Sequence, residues 1–273
     1  MEPILCAHLL RKVDEKLVEL LESLRPGEWE LPTVAPEWTV RDVAAHLLDT
    51  PLRKLSTVRD GCVVEPAVIR SPQDVAAMVN RLNREGVQVF RRLSPPVLIS
   101  LMRAACRESA DFHESLDPFA PAAFAVSWAG EEQSLNWFDT ARELTERWHH
   151  QQQIRHATGR PGIITRELYH PVLDCFLRGL PHAYRDTAAA RDTVVRVEVG
   201  GDCGGVWQIS RVTAGWQMTP PDGRWDARIV VPQEIAWRVF TKGIARGEAE
   251  RQMSIEGDGA LAAQLLSLTA IVA

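Results

Sequence analysis

Two segments that are predicted to be helical and that carry histidines constrain the fold of this chain more than any other feature. Trp38–Leu48 carries His46, and Glu143–Arg155 carries Glu146 and His150. Because Glu146 and His150 are four residues apart, one turn of helix points both side chains the same way. With His46 facing them from the other helix, the chain would offer three ligands and an open position. Catalytic divalent metals are usually held in this way.

The same residues also have a plainer interpretation. A Glu–His pair at i,i+4 is common on solvated helix surfaces, where it contributes roughly a few tenths of a kcal/mol. A lone histidine after a helix start is an ordinary core or surface residue. The stronger motif H-E-x-x-H, which fixes two ligands and a base together, does not occur in the chain. Spacing alone therefore leaves a metal site and a helix-surface pair as open alternatives.

Apolar residues recur at three- and four-residue intervals over much of the first 160 residues, and four long helices are predicted to dominate this part. Thr39 precedes Asp42 by three residues, as in a capping box that opens a helix. The segment 123–137 is predicted to form a short hairpin or an irregular excursion, and helical periodicity stops at Gly159–Gly162. The economical packing is a four-helix bundle. The periodic segments are the short 39–48 and the four longer ones 4–21, 71–93, 97–115 and 135–158.

The remaining residues change in character from helical to mixed. A helix is predicted over 165–184, and alternating residues with Gly-rich turns then predict several strands. No helix directly follows Gly200–Gly201 or Gly204–Gly205, so these pairs are interpreted as turns and not as a phosphate-binding loop. The predicted strands are 194–199, 206–209, 215–218, 227–231 and 253–258, with helices at 232–242 and 260–271.

Composition excludes several classes of partner. The formal net charge of −5 gives no basic footprint for nucleic acid, and no basic run suggests a membrane surface. No apolar stretch is long enough to span a bilayer, and the amino terminus lacks the features of a signal peptide. The five cysteines are dispersed, which favours reduced thiols over a disulfide framework. We therefore expect a cytoplasmic protein. Its oligomeric state is not indicated by the sequence.

Both histidine-bearing segments resemble a known family. The stretch W-T-V-R-D-V-A-A-H-L-L is similar to the first metal-binding segment of the DinB-like, mycothiol-dependent maleylpyruvate isomerase family. The stretch E-R-W-H-H-Q-Q-Q-I-R-H-A-T-G-R-P-G resembles that family's second segment, and the resemblance runs from about residue 8 to the end. It implies an α+β protein. Residues 1–162 would form a DinB-like, metal-binding four-helix bundle, and residues 163–273 a smaller, sterol-carrier-like α+β domain.

The resemblance places the three metal ligands on His46, Glu146 and His150. Zinc is the default ion because two imidazoles and a carboxylate suit it, although nickel or iron would accept the same ligands. The ion would lower the pKa of a low-molecular-weight thiol cosubstrate such as mycothiol. The leading hypothesis is thus a metal-dependent enzyme that uses the thiol for S-transfer to an electrophilic substrate or for thiol-assisted isomerisation. The alternative is a non-catalytic small-molecule-binding protein with a vestigial metal site.

One position departs from the family pattern. An aspartate usually stands three residues after the second histidine, whereas this chain has Gln153. A carboxylate there would act as a base or orient a ligand, but an amide only forms hydrogen bonds. We therefore expect poor maleylpyruvate isomerisation with thiol activation retained. Arg155 is the second candidate for a catalytic role, because arginine suits recognition of carboxylates, and an ordinary helix-surface charge is the alternative.

Other residues near the candidate ligands have competing interpretations. His149 is a rival ligand, but it lies about 100° around the helix from His150, so both would rarely face one ion. Glu143 is either a partner of the ligands or a solvated helix acid. The nearby tryptophans either wall a pocket or pack in the core, and core packing is the default. They are Trp38, Trp137 and Trp148.

Overall fold

The computed structural model describes residues 2–64, 66 and 68–271, and these residues form two compact units. The first unit comprises Leu5–Phe124 and Leu135–Ile163. The second comprises Ala125–Ser134 and Ile164–Ile271, together with the amino-terminal residues that precede Leu5. The main change from one unit to the other thus falls after Ile163. The division into domains 1–162 and 163–273 stays a prediction.

The first unit is helical. The helices are α1 Ala7–Glu22, α2 Val40–Lys54, α3 Pro72–Phe90, α4 Pro95–Ser115 and α5 Asn136–Thr158. Helix α1 packs against α4 and α5, α2 packs against α4 and α5, and α3 lies on α2. A short 3-10 turn, Pro26–Glu30, lies between α1 and α2 in the chain.

Local sequence signals set the ends of the two helices that carry the histidines. The predicted capping box at the start of α2 is confirmed: the Thr39 N–H donates to Asp42 Oδ2 over 3.0 Å, and Thr39 Oγ1 accepts from the Asp42 N–H. Near its end α2 contains Pro51 and continues into a π-helical turn, Leu55–Arg59. Helix α5 ends at Gly159, whose φ of 65° is the left-handed conformation that glycine adopts without strain.

An apolar core lies between these helices. Most of its members are fully buried and come from α1, α2 and α4, with Ile154 from α5. Burial of this continuous surface is the main favourable term for the helical unit. The core residues are Leu17, Val18, Leu20, Leu21, Trp29, Val40, Val43, Ala44, Leu47, Leu48, Leu98, Met102, Ala105, Cys106 and Ile154.

The second unit is built on a five-stranded sheet. The strands are β1 Val194–Gly200, β2 Gly205–Val212, β3 Gly215–Thr219, β4 Ala227–Pro232 and β5 Ser254–Gly257. Their order in the sheet is β3-β2-β1-β4-β5. Strands β1 and β4 pair in parallel, with Val197 opposite Ile229, and the other neighbours are antiparallel. The helices are α6 Arg166–Leu177, α7 Leu180–Ala183, α8 Gln233–Phe240, α9 Arg246–Gln252 and α10 Gly259–Ala263.

One face of the sheet forms the core of this unit. Along β1, Val195 and Val197 are fully buried while Arg196 between them is only half-buried, as the two-residue period of a strand requires. Helix α8 packs on β1 and β4 and contacts α6. The hydroxyl of Tyr169 joins the two helices by donating to the Gln233 carbonyl and accepting from the Trp237 N–H.

The observed class, a helical amino-terminal domain followed by an α+β domain, confirms the predicted fold class. Some elements differ from prediction. The helix expected over 165–184 is broken at Arg178–Gly179 into α6 and α7. The segment 123–135 is irregular apart from a 3-10 turn at Ser127–Ala129 and an isolated bridge from Leu135 to Pro121, and α5 begins at Asn136. The carboxyl-terminal helix is shorter than 260–271, and α9 was not predicted. Within the described residues, none of the helices is both long and apolar enough to cross a bilayer.

Candidate metal centre

The structure brings together His46 of α2 with Glu146 and His150 of α5. Glu146 Oε1 lies 2.9 Å from His46 Nε2 and 3.2 Å from His150 Nε2. Each residue offers one ligand atom, and the three atoms lie within 4.8 Å of one another. The three residues predicted as ligands therefore converge on one point between the two helices.

The spacing of these atoms suits a small divalent ion. Zinc bonds of about 2.0–2.1 Å in tetrahedral geometry separate neighbouring ligand atoms by about 3.3 Å. The two separations from Glu146 Oε1, 2.9 and 3.2 Å, are close to that value. Two imidazole nitrogens and one carboxylate oxygen are also a ligand set that zinc accepts. The residues present thus fit a divalent metal with three protein ligands.

Burial sets the charge of these groups. Burial, with the nearby His150, lowers the pKa of His46 to about 4, although the hydrogen bond with Glu146 opposes the shift. Burial alone would raise the pKa of Glu146, but the attraction and hydrogen bonds of His150 and His46 outweigh it, so that pKa lies well below its usual range. At neutral pH the site therefore presents a neutral His46 and an ionised Glu146, the forms that bind metals.

Two neighbours orient the imidazoles. His150 Nδ1 lies 2.9 Å from Gln153 Oε1. Because an amide oxygen only accepts, His150 Nδ1 carries a proton and donates to Gln153, and Nε2 is the ring nitrogen that faces Glu146. The indole of Trp38 lies against both rings, with centroids 4.9 Å from His46 and 5.9 Å from His150. Trp38 thus walls one side of the site, whereas Trp148 donates to the carbonyl of Ile163.

The other candidates take different positions. The His149 ring contacts that of His150 at 3.9 Å between centroids, but its Nδ1 lies 2.9 Å from the Thr145 carbonyl oxygen. The guanidinium of Arg155 is engaged with Gln151 Oε1 and with the backbone carbonyls of Lys16 and Pro161. The structure therefore does not bring Arg155 into the His46–Glu146–His150 group, and its catalytic role stays a prediction.

Sequence reasoning missed a buried ionic network beside the site. Lys54, near the end of α2, donates to Asp139 Oδ2 at 2.8 Å and to Glu143 Oε2 at 3.2 Å. Arg142 binds the same two carboxylates. Glu143 is thus neither solvated nor bonded to a ligand histidine. The acids at 139, 143 and 146 share with His150 the three-four spacing of one helix face, but this spacing does not show whether that face is solvated or buried.

The network extends through Arg147 to the other helices. The Arg147 guanidinium forms a short contact with Asp14 of α1 and donates to Ser109 Oγ of α4 at 2.6 Å. It also lies 3.8 Å from Glu143 Oε1. Three carboxylates and three cations therefore lie together, and all of them are buried except Arg142, which is partly exposed: Asp14, Asp139, Glu143, Lys54, Arg142 and Arg147. Their formal charges cancel, which makes burial of so many ions tolerable.

Two solved structures of known proteins are similar to the chain. A crystal structure of a histidine-to-alanine mutant of the mycothiol-dependent maleylpyruvate isomerase matches with a TM-score of 0.52 and 11% identity, over 92% of this chain and 91% of that one. Another crystal structure of the mycothiol-dependent maleylpyruvate isomerase gives a TM-score of 0.48 and 11% identity, over 85% and 86%. No curated protein matches the chain.

The family assignment follows from the sequence match. The model of the mycothiol maleylpyruvate isomerase N-terminal domain matches residues 10–155, which is more than half of the chain and includes His46, Glu146 and His150. The structural likeness, at 11% identity, shows a shared fold. The chain is therefore a member of the mycothiol maleylpyruvate isomerase N-terminal domain family.

Proposed function

We propose that this protein is an enzyme that binds one divalent metal, with zinc as the favoured ion, and activates a low-molecular-weight thiol such as mycothiol. The observation that carries the proposal is the convergence of His46 Nε2, Glu146 Oε1 and His150 Nε2 on one point. Three protein ligands leave a tetrahedral ion one open position. When bound, the ion would lower the pKa of a thiol at that position and supply a thiolate at neutral pH.

The side chains around the ligands support this role. Gln153 accepts a hydrogen bond from His150 Nδ1, which leaves Nε2 as the ring nitrogen that would bind a cation. Trp38 lies against the rings of His46 and His150 and excludes water from that side. Burial keeps His46 neutral and therefore able to act as a ligand, as the lowered pKa indicates. Together these residues keep the three ligand atoms oriented before a metal arrives.

Among thiol-dependent reactions we favour S-transfer. In this reaction the sulfur forms a bond to a carbon electrophile, the leaving group departs with its electron pair, and the thiol proton passes to solvent. Isomerisation of a maleyl double bond additionally requires proton movement near the site, and Gln153 has no useful pKa for it. The carboxylates of Asp139 and Glu143 are held by Lys54 and Arg142, so neither is free to act as a base.

The test is turnover by the zinc-loaded protein with mycothiol, bacillithiol or glutathione as cosubstrate. We expect thiol-dependent conversion of a chlorinated nitrobenzene that stops when a chelator removes the metal. Maleylpyruvate should isomerise slowly, and Gln153→Asp should raise that rate by on the order of tenfold or more, because it supplies a base. Fast isomerisation by the native protein that Gln153→Asp does not improve would contradict the preference for transfer. Metal binding without turnover of any electrophile would favour a non-catalytic binding protein.

Gln153 should also tune metal affinity. Gln153→Ala removes the acceptor for His150 Nδ1, and loss of such an outer hydrogen bond typically weakens metal binding about 10- to 100-fold. The measurement is zinc affinity by competition with a chromogenic chelator. Gln152→Ala is the matched control, because Gln152 Oε1 is buried without a hydrogen-bond partner among the described residues. An equal loss in both variants would argue against a specific role of Gln153.

A further inference from the structure

Helices α2 and α5 meet at a second place besides the candidate ligands. Lys54 lies two turns after His46 on α2, and its side chain is only 7% exposed. Its ammonium bridges Asp139 and Glu143 of α5, at 2.8 and 3.2 Å. The same pair of helices is therefore joined once by His46 and Glu146 and again by this buried bridge.

The two junctions lie on one face of α5. At 100° per residue, Asp139, Glu143, Glu146 and His150 fall within an arc of about 60°. On α2 the two contact points are eight residues apart, or about 12 Å along the axis. As α2 advances from His46 to the lysine, its partners on α5 step backwards from Glu146, so the helices run antiparallel here.

A slip of α5 along α2 would disrupt both junctions together. If the register changes by one residue, the side chain that should meet α2 lies about 1.5 Å farther along the helix axis and about 100° around it. The ammonium of Lys54 would then lose its carboxylates, and the two buried acids would keep only Arg142 of their own helix as a bridging cation. A buried ion pair contributes little net stability relative to apolar residues, and fixing one register is its best-attested use.

We propose that Lys54 is a positioning residue for the metal site. It clamps α5 against α2 in the register that brings Glu146 and His150 to His46. The inference rests on the proposed function, because it concerns the affinity of that site for a metal. The hydrogen bonds of Lys54 go to Asp139 and Glu143 and not to the three candidate ligands, so it would act on the site through these two acids.

The test is the zinc affinity of Lys54→Met, measured by chelator competition, together with the visible spectrum of the Co²⁺-loaded protein. The variant keeps the aliphatic stem and removes the charge. We expect zinc affinity to fall on the order of tenfold and the Co²⁺ absorption bands to shift. The reason is that ligand atoms displaced by about 1 Å no longer match the coordination geometry that the ion requires. Lys54→Arg keeps a cation that can bridge the two acids, and we expect it to recover most of the affinity.

Asp14→Asn is the matched control. It weakens the same network where Arg147 joins α5 to α1, a helix that supplies no candidate ligand. We expect it to lower the melting temperature while leaving zinc affinity and the Co²⁺ spectrum as in the native protein. Should Lys54→Met fail to fold, Asp139→Asn removes one acceptor of the bridge and should shift affinity in the same direction by less.

The outcomes separate this inference from the proposed function. Native zinc affinity in Lys54→Met overturns the positioning role and leaves the proposed metal site intact. Equal losses of affinity in Lys54→Met and Asp14→Asn overturn it too, since the effect would then follow general stability. A native protein without zinc affinity overturns both the proposed function and this inference.

Discussion

Replacing His46 by alanine is expected to abolish stoichiometric metal binding. His46 supplies the only candidate ligand from α2, and its Nε2 lies 2.9 Å from Glu146 Oε1. Loss of an outer partner of a ligand already costs about 10- to 100-fold in affinity, so loss of a ligand should cost more than about 100-fold. Elemental analysis of the purified protein and zinc titration of the metal-free form measure the change. His150→Ala should behave in the same way.

His149→Ala is the control for that experiment. Its ring lies beside that of His150, but its Nδ1 approaches the Thr145 carbonyl oxygen, and it is not part of the converging group. We expect metal content to stay at the native level. Metal that persists in His46→Ala and disappears in His149→Ala would show that the ligand set has been assigned wrongly.

Local sequence signals predicted much of the fold. The capping box of Thr39 and Asp42 predicted the start of α2, and Gly159 predicted the end of α5. Because these signals act within one helical turn, they do not depend on the rest of the chain. The spacing of Glu146 and His150 likewise predicted that both side chains lie on one face of α5. The family resemblance then indicated His46 of α2 as the third ligand.

Features set by distant contacts were not predictable. Lys54 is 85 residues from Asp139 and 89 residues from Glu143 in the sequence. The sequence pattern of acids at helical spacing is the same whether the helix face is solvated or buried. Gly179 marks the break between α6 and α7, where a Cβ would lie 2.8 Å from Leu268 Cδ1, a contact no local pattern contains. Helix α9 has the polar sequence R-G-E-A-E-R-Q, which lacks the apolar period that predicts helices.

Arg147→Met is expected to destabilise the helical unit more than any substitution at its surface. Arg147 is 3% exposed and bonds Asp14 and Ser109, and Glu143 lies nearby. Removing one partner of a buried ion pair typically costs about 3–5 kcal/mol, because the remaining charge is buried without compensation. Urea unfolding followed by circular dichroism at neutral pH measures the loss. Arg11→Met, whose partners Asp111 and Glu114 are exposed, should change the midpoint little.

The pH dependence of Arg147→Met distinguishes charge from packing. Burial raises the pKa of Asp14 to about 6 in the native protein even though Arg147 opposes the shift, with Cys106 and Glu143 as the other facing groups. Without the arginine that pKa should rise further above the unfolded value of about 3.9. A group with a raised folded pKa stabilises the folded state at low pH and loses that contribution as pH rises through the folded pKa. The variant should therefore lose stability, relative to native protein, as pH increases from about 6 to 8. A deficit that stays constant over this range would mean that lost packing, not the uncompensated carboxylate, causes the destabilisation.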